Sequence, residues 1–462
     1  MAAELKTWRN RSPGDLSTEL PEICATPVEP VLAASAAIAR EWARAPLDQR
    51  IVFLRSAQAA LAAHKEELAR GIAIETGKPI TEALGEMGAV LAKFDLSIGD
   101  AQQHLAARDV AGGPHLAQVR RLARGPAVVI APFNFPLHLG NGAIVPHLLA
   151  GNPVIFKPSP LAAVVAARYA AIVAAELPDG VFQLAQGGGE EGQALCLDAR
   201  VRAVCFTGSV PVGRALAQAL AADFSKELAL ELGGRNAAIV CADADLALAA
   251  EAVAEGACLT CGQRCNATSR VLVDARIARE FEPLLVSAFA KFAPGDPLLP
   301  GTRLGPLISA AAVARYERLI AARADWIIPG AVCGEADGRR GHYVRPALRR
   351  GATAPDAECF VPVVELETFT DLDDAIALHN TTPFGLSASI FTRSEATFQR
   401  LGDELRVGNL YANIATTFSP STLPFGGLGQ SGNGRPGGRG FIRFATAEQA
   451  VQVRADGFTS TR

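Results

Sequence analysis

Arg202-Ala-Val-Cys-Phe-Thr-Gly-Ser-Val-Pro-Val-Gly213 is the stretch on which the fold turns. Its first half is a short apolar run with β-branched and aromatic residues. Its second half turns on Gly208 and opens a segment with apolar residues at helical spacing, so the whole reads as strand, turn, helix. The same alternation extends both ways. Upstream lie the strand Ala127-Val-Val-Ile130, a helix over 141–150 closed by Gly151-Asn152, and the strand Pro153-Val-Ile-Phe156. A helix over 161–176, the strand Val181-Phe-Gln-Leu184 and a short helix over 191–197 come next. Downstream of the turn come a helix over 212–222 and a strand over 227–231. Strands and helices alternating over about 100 residues predict an open parallel sheet with helices on both faces. Ligands in such sheets sit beyond the carboxyl ends of the strands.

The flanks are less regular. Residues 1–30 carry Pro13, Pro21, Pro27 and Pro30 and read as irregular, and helices are expected over 31–44, 48–70 and 81–107. Gly112-Gly113-Pro114 reads as a turn, and 115–122 as a basic extended arm. A second α/β series is expected from about 232 to 408. It holds helices over 245–260, 277–290 and 312–324, one ending at 375–380, and strands at 270–273 and 387–391. A closing strand is expected at 448–454.

The chain has 462 residues, 49% hydrophobic and 20% charged, with a net charge of -3. That length calls for two or three domains. No block of like charge suits nucleic acid or a membrane surface. No Asp, Glu, Lys or Arg stands between Arg124 and Lys157, yet Pro132, Pro136, Pro146 and Pro153 interrupt that stretch too often for a spanning helix. Nine cysteines lack zinc-type spacing, so no metal is expected. The N-terminus has no apolar core of a signal peptide, which points to a reducing cytoplasm.

Five places carry chemistry, each with a plainer reading beside it. Cys265 in Cys261-Gly-Gln-Arg-Cys-Asn266 is a candidate nucleophile, though a small cysteine beside a glycine turn is often packing. Gly208, Ser209 and Gly213 belong to a turn that opens a helix. Free amides there favour a phosphate, although the turn lacks the Gly-x-Gly-x-x-Gly spacing. Lys157, in Phe156-Lys-Pro-Ser159, could meet a ribose or phosphate, or be a surface lysine. Glu231, next to Leu232-Gly233-Gly234, could activate water, or simply cap or pair. Asn134, between Pro132 and Pro136, could donate to an oxyanion, or be a turn residue.

The order of these signals, continued by Glu358-Cys359-Phe360 and Pro424-Phe425-Gly426-Gly427, resembles the aldehyde dehydrogenase superfamily from about residue 10 to about 450. The resemblance implies that Cys265 attacks an aldehyde, that the Asn134 amide and the Cys265 N–H hold the oxyanion, and that Glu231 activates the hydrolytic water. Lys157, Ser159, Gly208, Ser209, Gly213, Leu232, Glu358 and Phe360 would contact NAD, with NADP tolerated. Glu231 favours a free acid as product over acyl transfer to coenzyme A. The implied organisation is two α/β open-sheet domains plus a small β oligomerisation arm. Residues 1–107 and 125–231 would form the cofactor-binding domain, 232–408 the catalytic domain, and 108–124 with 445–462 the arm. Residues 409–444 would return to the cofactor domain, in a homodimer or homotetramer. His138-x-x-Asn141, Gly262-Gln-Arg-Cys265 and Ser431-Gly-Asn-x-Arg-Pro436 look like the branch that oxidises N-succinylglutamate 5-semialdehyde in arginine catabolism. Another semialdehyde or an aliphatic aldehyde is the alternative. His138, Arg264 and Arg435 would then face substrate carboxylates. Two departures from the family pattern stand out. Pro160 replaces a ribose-binding glutamate, and Val361 replaces a glycine and would crowd the site. A cysteine hydrolase would need a histidine base, for which His379-Asn380 is the tempting pair.

Overall fold

Short runs such as Ala127–Ile130 and Val154–Lys157 are apolar on both faces, the pattern of strands covered on both sides. In the computed structural model, which describes residues 6–111, 113–351 and 357–454, these runs form a six-stranded sheet. Its order is Gly432–Asn433, Glu227–Glu231, Ala203–Thr207, Ala127–Ile130, Val154–Lys157, Phe182–Leu184. The last five strands are parallel, and Gly432–Asn433 pairs antiparallel at the edge. The chain starts in the middle of this sheet, runs to one edge, then returns and builds the other. Ala127–Ile130 and Ala203–Thr207 are therefore neighbours at the point where strand order reverses, the usual place for a ligand crevice.

Alternation along each strand splits the core in two. Val128, Ile155, Val204 and Leu230 meet Leu32, Leu195 and Leu216 on one face. Val129, Phe156, Cys205 and Ala229 meet Leu54, Val90, Phe94 and Leu148 on the other. Register then aligns the strand ends. Ile130 sits opposite Lys157 and Phe206, and Thr207 opposite Glu231.

The second sheet has seven strands, in the order Asp325–Ile328, Ala347–Arg350, Val363–Phe369, Thr268–Asp274, Asn236–Val240, Ser387–Phe391, Asn409–Ala412. It is parallel except at Asp325–Ile328. Only residues 232–235 separate the last parallel strand of the first sheet from Asn236–Val240. The carboxyl ends of one sheet therefore face the amino ends of the other. A third, three-stranded sheet pairs Leu116–Ala123 with Arg108–Val110 and with Thr446–Val453. Among the described residues, no helix is long and apolar enough to cross a membrane.

Several elements depart from the sequence expectation. The N-terminal segment is not irregular: Thr7–Trp8 pairs with Ile23–Cys24, and Arg11–Ser12 with Asp15–Glu19. The helix expected over 48–70 breaks at His64 into Leu47–Ala63 and Lys65–Thr76. Gly112 of the expected turn and residues 455–462 of the expected arm lie outside the described residues. Asn236–Val240 and Val363–Phe369 are strands that the sequence pattern does not announce. In the latter, Glu365 is an acid inside a sheet, stabilised there by buried Arg235 and Arg349.

That triad ties the 232–235 link to two strands of the second sheet. Glu365→Ala would leave two buried guanidinium groups without their carboxylate, a loss of about 3–5 kcal/mol. Urea unfolding should show a clearly lowered midpoint, and an unchanged midpoint would contradict this account.

Candidate active site

The two sets of strand ends carry the predicted residues. Asn134 lies in the proline-bounded loop after Ala127–Ile130, Lys157 ends its strand, and Ser159 lies just beyond it. Gly208 and Ser209 lead from Ala203–Thr207 into the helix Val210–Leu220, and Glu231 closes the last parallel strand. On the other side, Cys265 precedes Thr268–Asp274, and Glu358 and Phe360 precede Val363–Phe369. Between them lies a cleft of about 340 Å³. Asn134, Lys157, Ser159, Gly208, Ser209, Glu231, Leu232, Cys265, Glu358 and Phe360 all line it. Arg315, from the helix Ala310–Ile320, lines it too. No sequence motif marks that residue, which sits on an otherwise ordinary amphipathic helix.

Cys265 is presented by an unusual piece of backbone. The helix Leu246–Cys258, capped by Asp245, gives way to three residues in left-handed conformation, Thr260, Cys261 and Gly262, with φ of 53°, 55° and 70°. A Cβ at Gly262 would fall 2.6 Å from the Val361 carbonyl carbon, so the turn is pressed against the neighbouring loop. Gln263 fixes the next step of the chain. Its Nε2 donates to Thr260 O at 3.0 Å, and its Oε1 accepts from Ile308 N at 2.9 Å. Asn134 Nδ2 donates to Gln263 O at 2.8 Å, which holds that amide beside the cysteine loop. The second N–H of the same amide remains to be donated.

The charges are arranged to be expensive. Glu231 is 2% exposed, and no nitrogen or oxygen donates to either carboxylate oxygen, although the Cys265 thiol stands close enough to do so. Burial pushes its carboxyl up to about 8; the Cys265 thiol, donating to it, works against the rise, and nearby Glu358 adds to it. Glu358 is pushed up to about 7, also by burial, although its Oε1 accepts from Gly234 N at 3.1 Å. Burial first and Glu231 second raise the Cys265 thiol well above its ordinary range. Without ligands, then, Cys265 is a thiol at neutral pH and Glu231 is largely an acid.

Other expected residues sit elsewhere. Arg264 does not enter the cleft. It pairs with Glu82 at 2.7 Å, donates to Thr260 Oγ1 at 3.0 Å, and lies 4.9 Å from the centre of the Phe135 ring. Lys78 covers the same ring at 3.7 Å and is paired with buried Glu86. The ring beside Asn134 and the arginine beside Cys265 are thus clamped together. Arg435 is turned to backbone, donating to Gly408 O at 2.8 Å. Gly213 packs under Leu232, where a Cβ would come within 2.6 Å of Leu232 Cδ2. His138 lines a separate, smaller cavity. Val361 does not crowd the cleft, because its side chain is buried in the core of the second sheet. His379 is buried at the end of the helix Leu372–His379 and does not line the cleft, so it offers Cys265 no base. Among the described residues, no group of three or more His, Cys, Asp or Glu could hold a metal ion.

The model of the aldehyde dehydrogenase family matches residues 4–451. The chain belongs to this family. It is 38% identical over 408 residues to N-succinylglutamate 5-semialdehyde dehydrogenase 1 of Caulobacter vibrioides, covering 86% of this chain and 85% of that protein. It is also similar to the solved NAD-dependent aldehyde dehydrogenase from Sinorhizobium meliloti. The TM-score there is 0.92 at 31% identity, covering 99% of this chain and 93% of the other. The indole-3-acetaldehyde dehydrogenase AldA of P. syringae, solved in complex with NAD+ and IAA, gives a TM-score of 0.89 at 28% identity, with 97% and 93% covered. This aldehyde dehydrogenase is an oxidoreductase that oxidises an aldehyde and uses a nicotinamide cofactor.

The cleft fits such a cofactor. No side chain caps the N-terminus of Val210–Leu220, so its free amides point outward for a diphosphate. Lys157 is buried, donates only to the carbonyls of Gly187 (2.7 Å) and Pro158 (3.4 Å), and has no ion pair among the described residues.

The coupling of Cys265 and Glu231 has a measurable sign. An ionised Glu231 opposes the thiolate, and it ionises above about pH 8. Glu231→Gln should therefore alkylate faster with iodoacetamide at Cys265 above pH 8, with little difference at pH 7. Equal rates at every pH would mean that the two groups do not sense each other.

Proposed function

We propose that this enzyme oxidises N-succinyl-L-glutamate 5-semialdehyde to N-succinylglutamate through a thioester on Cys265, as part of arginine breakdown. The observation that carries the mechanism is the meeting of Cys265, Asn134 and Glu231 at one cleft. The substrate reading is supported by the similarity to enzymes named for that semialdehyde.

Cys265 Sγ attacks the aldehyde carbon, and its proton passes to water in the cleft before or during the attack. The free N–H of the Asn134 amide and the backbone N–H of Cys265 donate to the oxygen that becomes negative. The bound nicotinamide supplies the hydride acceptor. Glu231 takes a proton from the water that cleaves the thioester, a role suited to a carboxyl poised near 8. The amides before Val210–Leu220 and the Lys157 ammonium hold the cofactor phosphates and ribose. Glu358 and Phe360 hold its nicotinamide half. Phe133 packs edge-on against Phe360 at 6.0 Å, which fixes that ring. Arg264, Lys78 and Phe135 hold the oxyanion donors in place and do not touch the substrate.

Cofactor choice depends on the end of the cleft formed by 157–160. Its lining there is Lys157, Pro158, Ser159 and Pro160, with no carboxylate to repel a 2′-phosphate. NAD is the expected cofactor, and NADP is accepted beside it. A homodimer or homotetramer is supported by the three-stranded sheet, which leaves Leu116 65% exposed, with Leu122 and Val110 also open to solvent. The cytoplasm is the expected location.

Cys265→Ala should abolish turnover while cofactor still binds. Glu231→Gln should preserve a burst of one nicotinamide reduced per site and slow steady-state turnover by roughly 10²–10⁴-fold. Equal loss in both phases would remove Glu231 from the hydrolytic step.

Substrate and cofactor are tested together. The kcat/KM for N-succinylglutamate semialdehyde should exceed that for uncharged aliphatic aldehydes by at least about tenfold, or about 1.4 kcal/mol. Pro160→Glu should raise KM for NADP more than for NAD. A preference for uncharged aldehydes would keep the chemistry and discard the substrate.

A further inference from the structure

Glu231 also lines a second cavity, of about 30 Å³, that Cys265 does not reach. Its other walls include Lys93 from the helix Ile80–His104, His138 and Gly142 from the helix His138–Leu149, and Thr207 and Gly438. A buried water needs roughly 10–15 Å³ of such space and two to four polar partners. The cavity has room for one or two waters, and the partners are present. Both Glu231 oxygens and His138 Nδ1 are buried and make no hydrogen bond to a nitrogen or oxygen atom. Lys93 is 2% exposed, makes no ion pair among the described residues, and donates one N–H to Gly438 O at 2.7 Å, which leaves two more.

We propose that this cavity holds the water of a proton path from Glu231 to Lys93, with His138 Nδ1 orienting that water, and that Lys93 is a relay residue for thioester hydrolysis. The proposal rests on Glu231 being the base. In the hydrolytic step the water oxygen bonds the acyl carbon, and one of its protons passes to the Glu231 carboxylate. The C–S bond then breaks, so the product leaves as the acid and Cys265 as thiolate, which takes a proton from solvent in the cleft to return to the thiol. Glu231 is restored when its proton crosses the cavity water to the neutral Lys93 amine, making the ammonium. Asp100 acts on Lys93 by its charge and pairs with half-exposed Arg439, so solvent lies close on that side; Lys93 gives its proton to water there between turnovers, which restores the amine.

The acidities agree with this direction. Burial draws Lys93 down to about 8 and pushes Glu231 up to about 8, so neither holds the proton much more tightly. His138 is drawn down to about 4 by burial, against the pull of Glu86 and with the repulsion of Lys93 and Lys78. It can hydrogen-bond the water without keeping the proton. Glu231 itself senses Cys265, Glu358 and Arg435.

The test uses hydrolysis of p-nitrophenyl acetate by the full-length enzyme without cofactor. There the nitrophenolate burst reports acylation of Cys265, and the steady state reports deacylation. Two variants attack the path differently. Lys93→Met removes the acceptor. Gly142→Val fills the cavity and leaves every titratable group in place, at a position where a Cβ meets nothing closer than Lys93 Cε at 3.9 Å. Both should keep the burst at one per site and slow the steady state at least tenfold. Both should also make it rise with imidazole buffer concentration, as an external acceptor takes over. Loss of burst and steady state together, or no change in either, overturns the relay. Glu231→Gln run alongside separates the two claims. If it leaves deacylation unchanged, Glu231 is not the base. If it slows deacylation and neither relay variant does, the base stands and Lys93 has no part.

Discussion

Everything at the site depends on the close approach of Gly233 to the Glu358 carboxylate and of Gly234 to the backbone of Cys265. A Cβ on Gly233 would lie 2.3 Å from Glu358 Oε2, and one on Gly234 would lie 2.4 Å from the Cys265 carbonyl oxygen. These glycines stand in the four-residue link between the two sheets, directly after Glu231. The link is too short to wander, so it fixes the carboxyl ends of one sheet against the amino ends of the other. Only there can a carboxylate from the first sheet and a sulfur from the second share one space. The strand register supplies the rest by bringing Lys157, Thr207 and Glu231 to a common edge.

That space is electrostatically uncomfortable, and the discomfort is useful. Glu231 is buried with no nitrogen or oxygen donor on its carboxylate, and the polar group that reaches it there is the Cys265 thiol. Charges close by but outside the cleft are well satisfied. Lys78 with Glu86, and Arg264 with Glu82, are paired and packed on Phe135. Glu86 also accepts the amides of Leu137 and His138 at 3.0 and 3.1 Å, which anchors the start of the helix His138–Leu149. Rigid surroundings hold a strained centre, the arrangement expected of preorganised catalytic groups.

Much of this is legible in the chain. Apolar runs at 127–130, 154–156 and 203–206 announce the parallel sheet, because a strand buried on both faces shows little alternation. The turns after them carry Asn134, Lys157, Gly208 and Glu231. Pairing stays hidden. Val363–Phe369 does not read as a strand because Glu365 and Glu367 break its apolar pattern, and their arginine partners come from distant segments. Arg264 looks like an anchor for substrate because sequence does not show Glu82 waiting for it. Lys93 sits in a long amphipathic helix, where nothing local distinguishes a lysine that faces inward from one that faces solvent. Val361 misleads for the opposite reason: Glu358 and Phe360 just before it line the cleft, while its own side chain turns into the core.

The left-handed turn before Cys265 has a consequence for how this enzyme tolerates change. Thr260 and Cys261 each hold a conformation that costs an L-residue about 1–2 kcal/mol. Glycine at either position would relieve that cost, so a search for thermostable variants would be drawn here. The same relief would loosen the loop that carries Cys265, and at Thr260 it would also remove the hydroxyl contact to Glu82 while the backbone N–H contact stays. At these two positions a gain in backbone stability would be set against the order of the loop that carries Cys265.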